Sequence, residues 1–283
     1  MQRQVATSDP TAVEMEVQRA FLGIFPGGDR LFVPQVFGWA SECFTGQYGD
    51  YHPVDALYHD FEHTLQGTLC LARLLHGRHN ARAEPVLLER QFQLTLLAIL
   101  LHDTGYLKRR GDRSGTGAKY TITHVSRSAD FAAQLLAAKR FQPEEIRAVQ
   151  NMILCTGVNA NLDAIPFQSE IERICGFALV SADLLGQMAA DDYVEKLPTL
   201  YAEFAEAVAF SADQSHFIAG FASAEDLILK TPAFWNLSVL PKLERRFLGV
   251  YKFLNDPYPD GPNPYLQRIE ANLARLQRVS SGR

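Results

Sequence analysis

Apolar residues recur along this chain at intervals of three and four, the period of helices with one face against a core, and strand-like alternation is nearly absent. "DPTAVEMEVQRAFLGIF" opens on Asp9 and Pro10, a helix start signal, and then keeps helical spacing. "EPVLLERQFQLTLLAILLHD" places Pro85 near a helix start and follows it with an almost unbroken apolar run, which predicts a central helix buried on most sides. "THVSRSADFAAQLLAAKRF" opens on a threonine cap and carries Val125, Phe131, Leu135 and Leu136 on one side. In "QPEEIRAVQNMILCTG", Pro143 and two acidic residues fill the first turn, where the helix dipole favours them, and Gly157 follows the end. "SEIERICGFALVSADLLGQMA", "PTLYAEFAEAVAF" and the amphipathic "NPYLQRIEANLARLQRV" continue the pattern. The chain is therefore expected to be all-α.

One stretch breaks this rhythm. Residues 105–123, "GYLKRRGDRSGTGAKYTIT", put four glycines and five cations between two helices. Connections between helices usually run to about eight residues or fewer, so a longer one is expected to be functional or unstructured. It lacks the GxxxxGK[ST] of a phosphate-binding loop and the strand context that motif needs. A second loop, "NDPYPDGPNP", carries four prolines and sets the final helix apart.

Composition narrows the classes. A 283-residue chain with 47% hydrophobic and 21% charged residues can bury a sizeable core. A net charge of −5 argues against a general nucleic-acid or anionic-membrane surface, which needs clustered cations. Cys43, Cys70, Cys155 and Cys175 are scattered and form no CxxC pair, as expected of buried thiols in a reducing compartment. The N-terminus has no apolar signal segment, and the longest apolar run, "LTLLAILL", is far short of a spanning helix. A cytoplasmic protein is expected.

The candidate chemistry starts at "DALYHDFEHTL", where His59 and His63 stand four apart. On a helix that spacing stacks them on one face, about 6 Å apart at Cβ. The central apolar run ends on His102 and Asp103, a charged pair that is costly at a buried helix end unless paired or bound to an ion. "FALVSADLLGQM" sets Asp183 in another apolar run. His63, His102, Asp103 and Asp183 thus come from three segments and all look inward, and mixed imidazole and carboxylate ligation suits Mn, Fe, Zn, Co or Ni. Each residue alone is as compatible with an ordinary buried hydrogen bond as with a ligand. It is their joint occurrence that points to a metal. His52, His76, His79 and His216 show no spacing relationship to this set.

With these residues in place the chain resembles the HD-domain metal-dependent phosphohydrolases, and within them the catalytic domain of class I cyclic nucleotide phosphodiesterases, over about residues 50–210. "YHDFEHTLQGTLCLARLL" is similar to the family's YHNxxH helix, which implies His59 as general acid and His63 as metal ligand. "AILLHDTGY" is similar to the HD motif, with His102 and Asp103 as ligands, and "FALVSADLL" to the segment supplying the last one, Asp183. "THVSRSADFAAQLL" resembles the helix that begins on a histidine near a second metal, His124 here, and "QNMILCTGVNANL" retains Thr156 of another motif, with Gly157 where its aspartate would stand. Asp60 replaces the family's asparagine after the first histidine, and Tyr106 replaces a histidine that normally follows HD. No counterpart of the family's purine-clamping glutamine and phenylalanine stands out.

The resemblance implies one helical domain over residues 1–283, an HD core with N- and C-terminal helical extensions, that cleaves a phosphate ester by metal-activated water. Asp103 would be both ligand and part of the catalytic pair with His59, and it could bridge to a second ion such as Mg. Asp55 or Glu62 would orient His59, while Lys108, Arg109 and Lys119 of the long loop would clamp phosphate. The expected partner is a small phosphorylated substrate, with a nucleotide or cyclic nucleotide among the candidates; a homo-oligomer is left open, and no nucleic acid or membrane is expected. Two rivals share the ligand order: an HD-fold di-iron oxygenase, and a non-catalytic nucleotide-binding module.

Overall fold

A computed structural model describes residues 5–157, 160–211 and 217–281. Among the described residues the chain is all-α, and the one extended pairing is an isolated bridge between Tyr51 and Arg109. The helices are α1 (Pro10–Ile24), α2 (Phe32–Phe44), α3 (Phe61–Asn80), α4 (Glu89–Leu101), α5 (His124–Ala138), α6 (Pro143–Leu154), α7 (Glu170–Met188), α8 (Tyr193–Phe210), α9 (Ala224–Phe234) and α10 (Pro264–Ser281).

The apolar run of α4 lies where its composition predicts, with every residue from Phe92 to Leu101 buried. It packs against α2, α3, α6 and α7, and one hydrophobic cluster extends from Val13 of α1 to Leu276 of α10. α3 runs along α7 at close range because α7 carries Gly186: a Cβ there would lie 2.7 Å from the Gln66 carbonyl oxygen. That approach sets Asp183 of α7 beside α3, where His63 sits.

Several starts differ from the sequence reading. α3 begins at Phe61, with Asp60 as its cap accepting from the His63 amide at 2.8 Å, so His59 precedes the helix. α4 begins at Glu89, four residues after Pro85. The intervening backbone is held back by the buried Arg78, whose guanidinium donates to the Pro85 carbonyl at 2.7 Å. Thr123 precedes α5 but does not cap it, because its hydroxyl donates to the Tyr120 carbonyl. α8 starts at Tyr193 and takes Pro198 into its body. α2 carried no clear signal: Pro34 falls in its first turn, where the missing amide hydrogen has no intrahelical partner anyway.

No single helix among the described residues is long and apolar enough to cross a membrane. α7 and α8 reach that test only together, bent by 111° at their junction.

Candidate metal centre

Three helices deliver the cluster. His63 comes from the first turn of α3, His102 and Asp103 from the end of α4, and Asp183 from the middle of α7. His63, His102 and Asp103 are buried and form a group that could hold a metal ion. His63 Nε2 stands 3.2 Å from Asp103 Oδ2 and 3.3 Å from Asp183 Oδ1. His102 Nε2 stands 3.2 Å and 3.4 Å from the same two oxygens. Around a tetrahedral ion with bonds of about 2.0–2.1 Å, neighbouring donors are about 3.3–3.4 Å apart. These four distances are of that size, but the group whose donor atoms all lie within 4.8 Å of one another is His63, His102 and Asp103, and Asp183 stands outside it, so the set is not a closed tetrahedron.

His102 Nε2, Asp103 Oδ2 and Asp183 Oδ1 are also buried atoms without a hydrogen-bond partner. Buried polar atoms nearly always have one, and three such atoms converging on one point fit a cation. The tautomer of His102 agrees: Nδ1–H donates to the Ile99 carbonyl at 2.7 Å, which leaves the Nε2 lone pair facing the carboxylates. Burial alone would push the His63 and His102 imidazoles down, but Asp103 and Asp183 overturn it and raise them to about 10 and about 9. Burial likewise works to raise both carboxyls, and the two imidazoles hold them far below the ordinary range. The cluster is built for positive charge. A cavity of only about 10 Å³, room for a water, touches His63 between Tyr58, Gln66, Gln187 and Lys196.

Beside it lies a group of rings. His59 and His63 have centroids 5.1 Å apart although they do not share a helix. His59 stacks on Tyr106 at 4.5 Å with planes 11° apart, and His124 stacks on Tyr106 at 4.7 Å and 24°. The two imidazoles are 6.1 Å apart. Rings on opposite faces of a third would be separated by at least about 7 Å, since stacked carbons sit about 3.5 Å apart. His59 and His124 therefore lie side by side on one face of Tyr106, which is fully buried and acts as their platform. His124 Nδ1–H donates to the Thr121 carbonyl at 2.6 Å, and Nε2 stands 3.8 Å from Asp103 Oδ1, the oxygen turned away from His63 and His102. Burial holds the His124 imidazole below its ordinary range. Gly105 permits this arrangement, because a Cβ there would lie 2.0 Å from the His124 carbonyl oxygen.

The orienting group of His59 is neither Asp55 nor Glu62. Glu203 of α8 takes that place, with Oε2 2.6 Å from His59 Nδ1 and Oε1 accepting from the Tyr58 amide at 2.7 Å. Burial would raise the Glu203 carboxyl, but His59 beside it brings it below the ordinary range. Asp55 instead pairs with Lys108 and accepts from the Gly117 amide, and Glu62 accepts from Thr7 and faces Lys196.

The other expected site residues are dispersed. Asp60 caps α3 and so sets His63. The Thr156 hydroxyl donates to the Ile153 carbonyl. Lys108 is buried, held 2.9 Å from Asp55 Oδ2, and Lys119 is held by Asp112 at 2.5 Å. Arg109 is exposed and lies over the Tyr51 ring. Arg109 and Lys119 line a groove of about 850 Å³ whose lining includes Thr104 and Gly105 but none of the cluster residues. His52, His76 and His79 lie away from the centre, and His216 is outside the described residues.

Residues 32–250 match the family described as Npun_R2479-like, more than half of the chain, and the protein belongs to that family. No curated protein matches it.

Proposed function

We propose that the protein is a metal-dependent hydrolase of small phosphate esters, with His63, His102, Asp103 and Asp183 as the ligands of a divalent transition ion. The reading is carried by the buried group of His63, His102 and Asp103, with Asp183 Oδ1 3.3 and 3.4 Å from the two imidazoles and three of the four donor atoms otherwise unpartnered. Such an ion supplies an electrophile for a phosphoryl oxygen and acidifies water near neutral pH. Asp103 uses Oδ2 toward the two ligand histidines and keeps Oδ1 for His124, so the pair Oδ1 and His124 Nε2 is where a second ion such as Mg would sit. Glu203 fixes His59 through Nδ1 and leaves Nε2 to hand a proton to the leaving oxygen. Tyr106 keeps that ring flat against a wall that excludes water.

The test is metal analysis of protein purified without chelators, paired with a panel of phosphomonoesters and phosphodiesters. The expected result is about one transition ion per chain and turnover of at least one ester that chelation abolishes and metal restores. Bound ion without turnover of any ester removes the hydrolase reading. Oxygen uptake by a mixed-valence iron pair moves the chain to oxygenase chemistry.

A further inference from the structure

The groove lined by Arg109 and Lys119 carries its own chemistry. It is bounded by the long loop, by α5 and by the end of α8. At about 850 Å³ it falls within the range of small-molecule sites. Most of its charge is already matched. Lys119 is held by Asp112 and the Ser114 carbonyl, and Arg127 donates to the carbonyls of Gly105 and Leu107 at 2.7 and 3.0 Å. Arg109 and Asp130 are the exceptions: the Arg109 guanidinium rests 5.6 Å over Tyr51, and among the described residues no carboxylate pairs with it and no cation pairs with Asp130. In the same lining Phe210 is 51% exposed, an aromatic ring at the end of α8 with the Lys119 ammonium 5.6 Å from its centroid. Asp130 and Gln134, both exposed on α5, add an acceptor and an amide to the same lining.

We infer that this groove is a binding site for a planar aromatic anion of the nucleoside monophosphate class, separate from the metal centre. Arg109 meets the phosphate in a charge-assisted contact. The Phe210 ring offers a stacking face to the base, and Asp130 accepts from an amino group on the ring edge. The site does not depend on the hydrolase reading, because none of the cluster residues lines it.

Equilibrium binding of adenosine monophosphate, adenosine and inorganic phosphate tests this in the full chain. Adenosine monophosphate should bind wild type and the metal-ligand variant His63→Ala equally, and more tightly than adenosine or phosphate does. Arg109→Ala should weaken it about tenfold to a hundredfold, the range of one lost charge-assisted contact. Phe210→Ala, which removes the exposed ring together with its contact to Lys119, should weaken adenosine monophosphate and adenosine alike by about threefold to tenfold. Binding lost in His63→Ala but kept in Arg109→Ala would place the nucleotide at the metal centre and overturn the inference. No binding at millimolar nucleotide, or equal affinity for adenosine and its monophosphate, would overturn it as well.

Discussion

Two charged clusters adjoin the segment from Asp103 to His124, and they are balanced in opposite ways. In the loop, Lys108 meets Asp55, Lys119 meets Asp112, and the Thr116 amide and hydroxyl meet Glu206 at 2.5 and 2.7 Å. These groups complete each other. In the candidate metal cluster, the imidazole and carboxylate atoms stand 3.2–3.4 Å apart yet leave three buried atoms without a hydrogen bond. A cluster that closes on itself holds a fold together, whereas one left open toward a common point fits a further cation. Richness in charge does not separate the two cases; the direction of the lone pairs does.

The strongest way to break this comparison is to remove a ligand. His63→Ala or Asp103→Asn should drop bound transition metal to background, measured by elemental analysis, and abolish ester turnover. Metal retained at wild-type stoichiometry in both variants would reduce the cluster to a structural ion pair. The next effect belongs to the neighbouring ring. His59→Ala should keep its metal and lose about 10²–10⁴-fold in kcat, most for an alkoxide leaving group and least for nitrophenolate. Glu203→Gln should show the same leaving-group dependence with a smaller loss, about tenfold. A loss independent of the leaving group would make His59 a scaffold residue.

The loop should respond in stability rather than chemistry. Asp55→Ala leaves the Lys108 ammonium buried without its carboxylate and is expected to lower unfolding free energy by about 1–3 kcal/mol in denaturant titrations. Adding Lys108→Met to that variant should recover part of it. A pH series sharpens the same point at lower amplitude. Lys119 and Tyr120 hold the Asp112 carboxyl well below the usual carboxylate range. A lowered pKa in the folded state means that the contribution is present above the unfolded value of about 3.9 and fades as pH falls toward the folded one. Asp112→Asn should therefore cost less than about 1 kcal/mol near neutral pH, and its melting temperature should converge on that of wild type under acid. The smallest effect concerns the thiols. Cys43 and Cys155 are buried and pushed up to about 12, and Cys175 to about 11, so the native protein should be inert to thiol reagents at pH 8 until it is unfolded.

The candidate metal cluster was legible at His102, Asp103 and Asp183, because each of these interrupts an apolar run, where a titratable group has few explanations. His102 and Asp103 close the buried α4, and Asp183 lies within the apolar α7. The place of His59 was not legible, since a spacing of four reads as a helix and only the cap at Asp60 reveals that α3 starts later. Glu203 left a fainter trace. It falls three after Leu200 and four before Ala207, on the buried stripe of α8, but its partner is 144 positions away. The pairings of Lys108 and Lys119 were not legible either, because their counterions at Asp55 and Asp112 are fixed by the folded loop and not by a local pattern. Tyr106 was visible only as a replaced histidine, while its role as a platform depends on three rings meeting from separate segments.

That platform has an optical consequence. A phenol buried against two imidazoles in an asymmetric environment contributes a fixed band to the near-ultraviolet circular dichroism of the native protein. Burial, with Asp103 and Glu203 nearby, keeps its hydroxyl protonated well beyond the ordinary tyrosine range, so the band belongs to the phenol and not to the phenolate. Since His124 on its face approaches Asp103, a change of charge at the candidate metal cluster alters the field across the ring. The protein thus carries an unlabelled spectroscopic gauge within its own candidate centre, readable in a titration with any divalent ion that is itself transparent in that range.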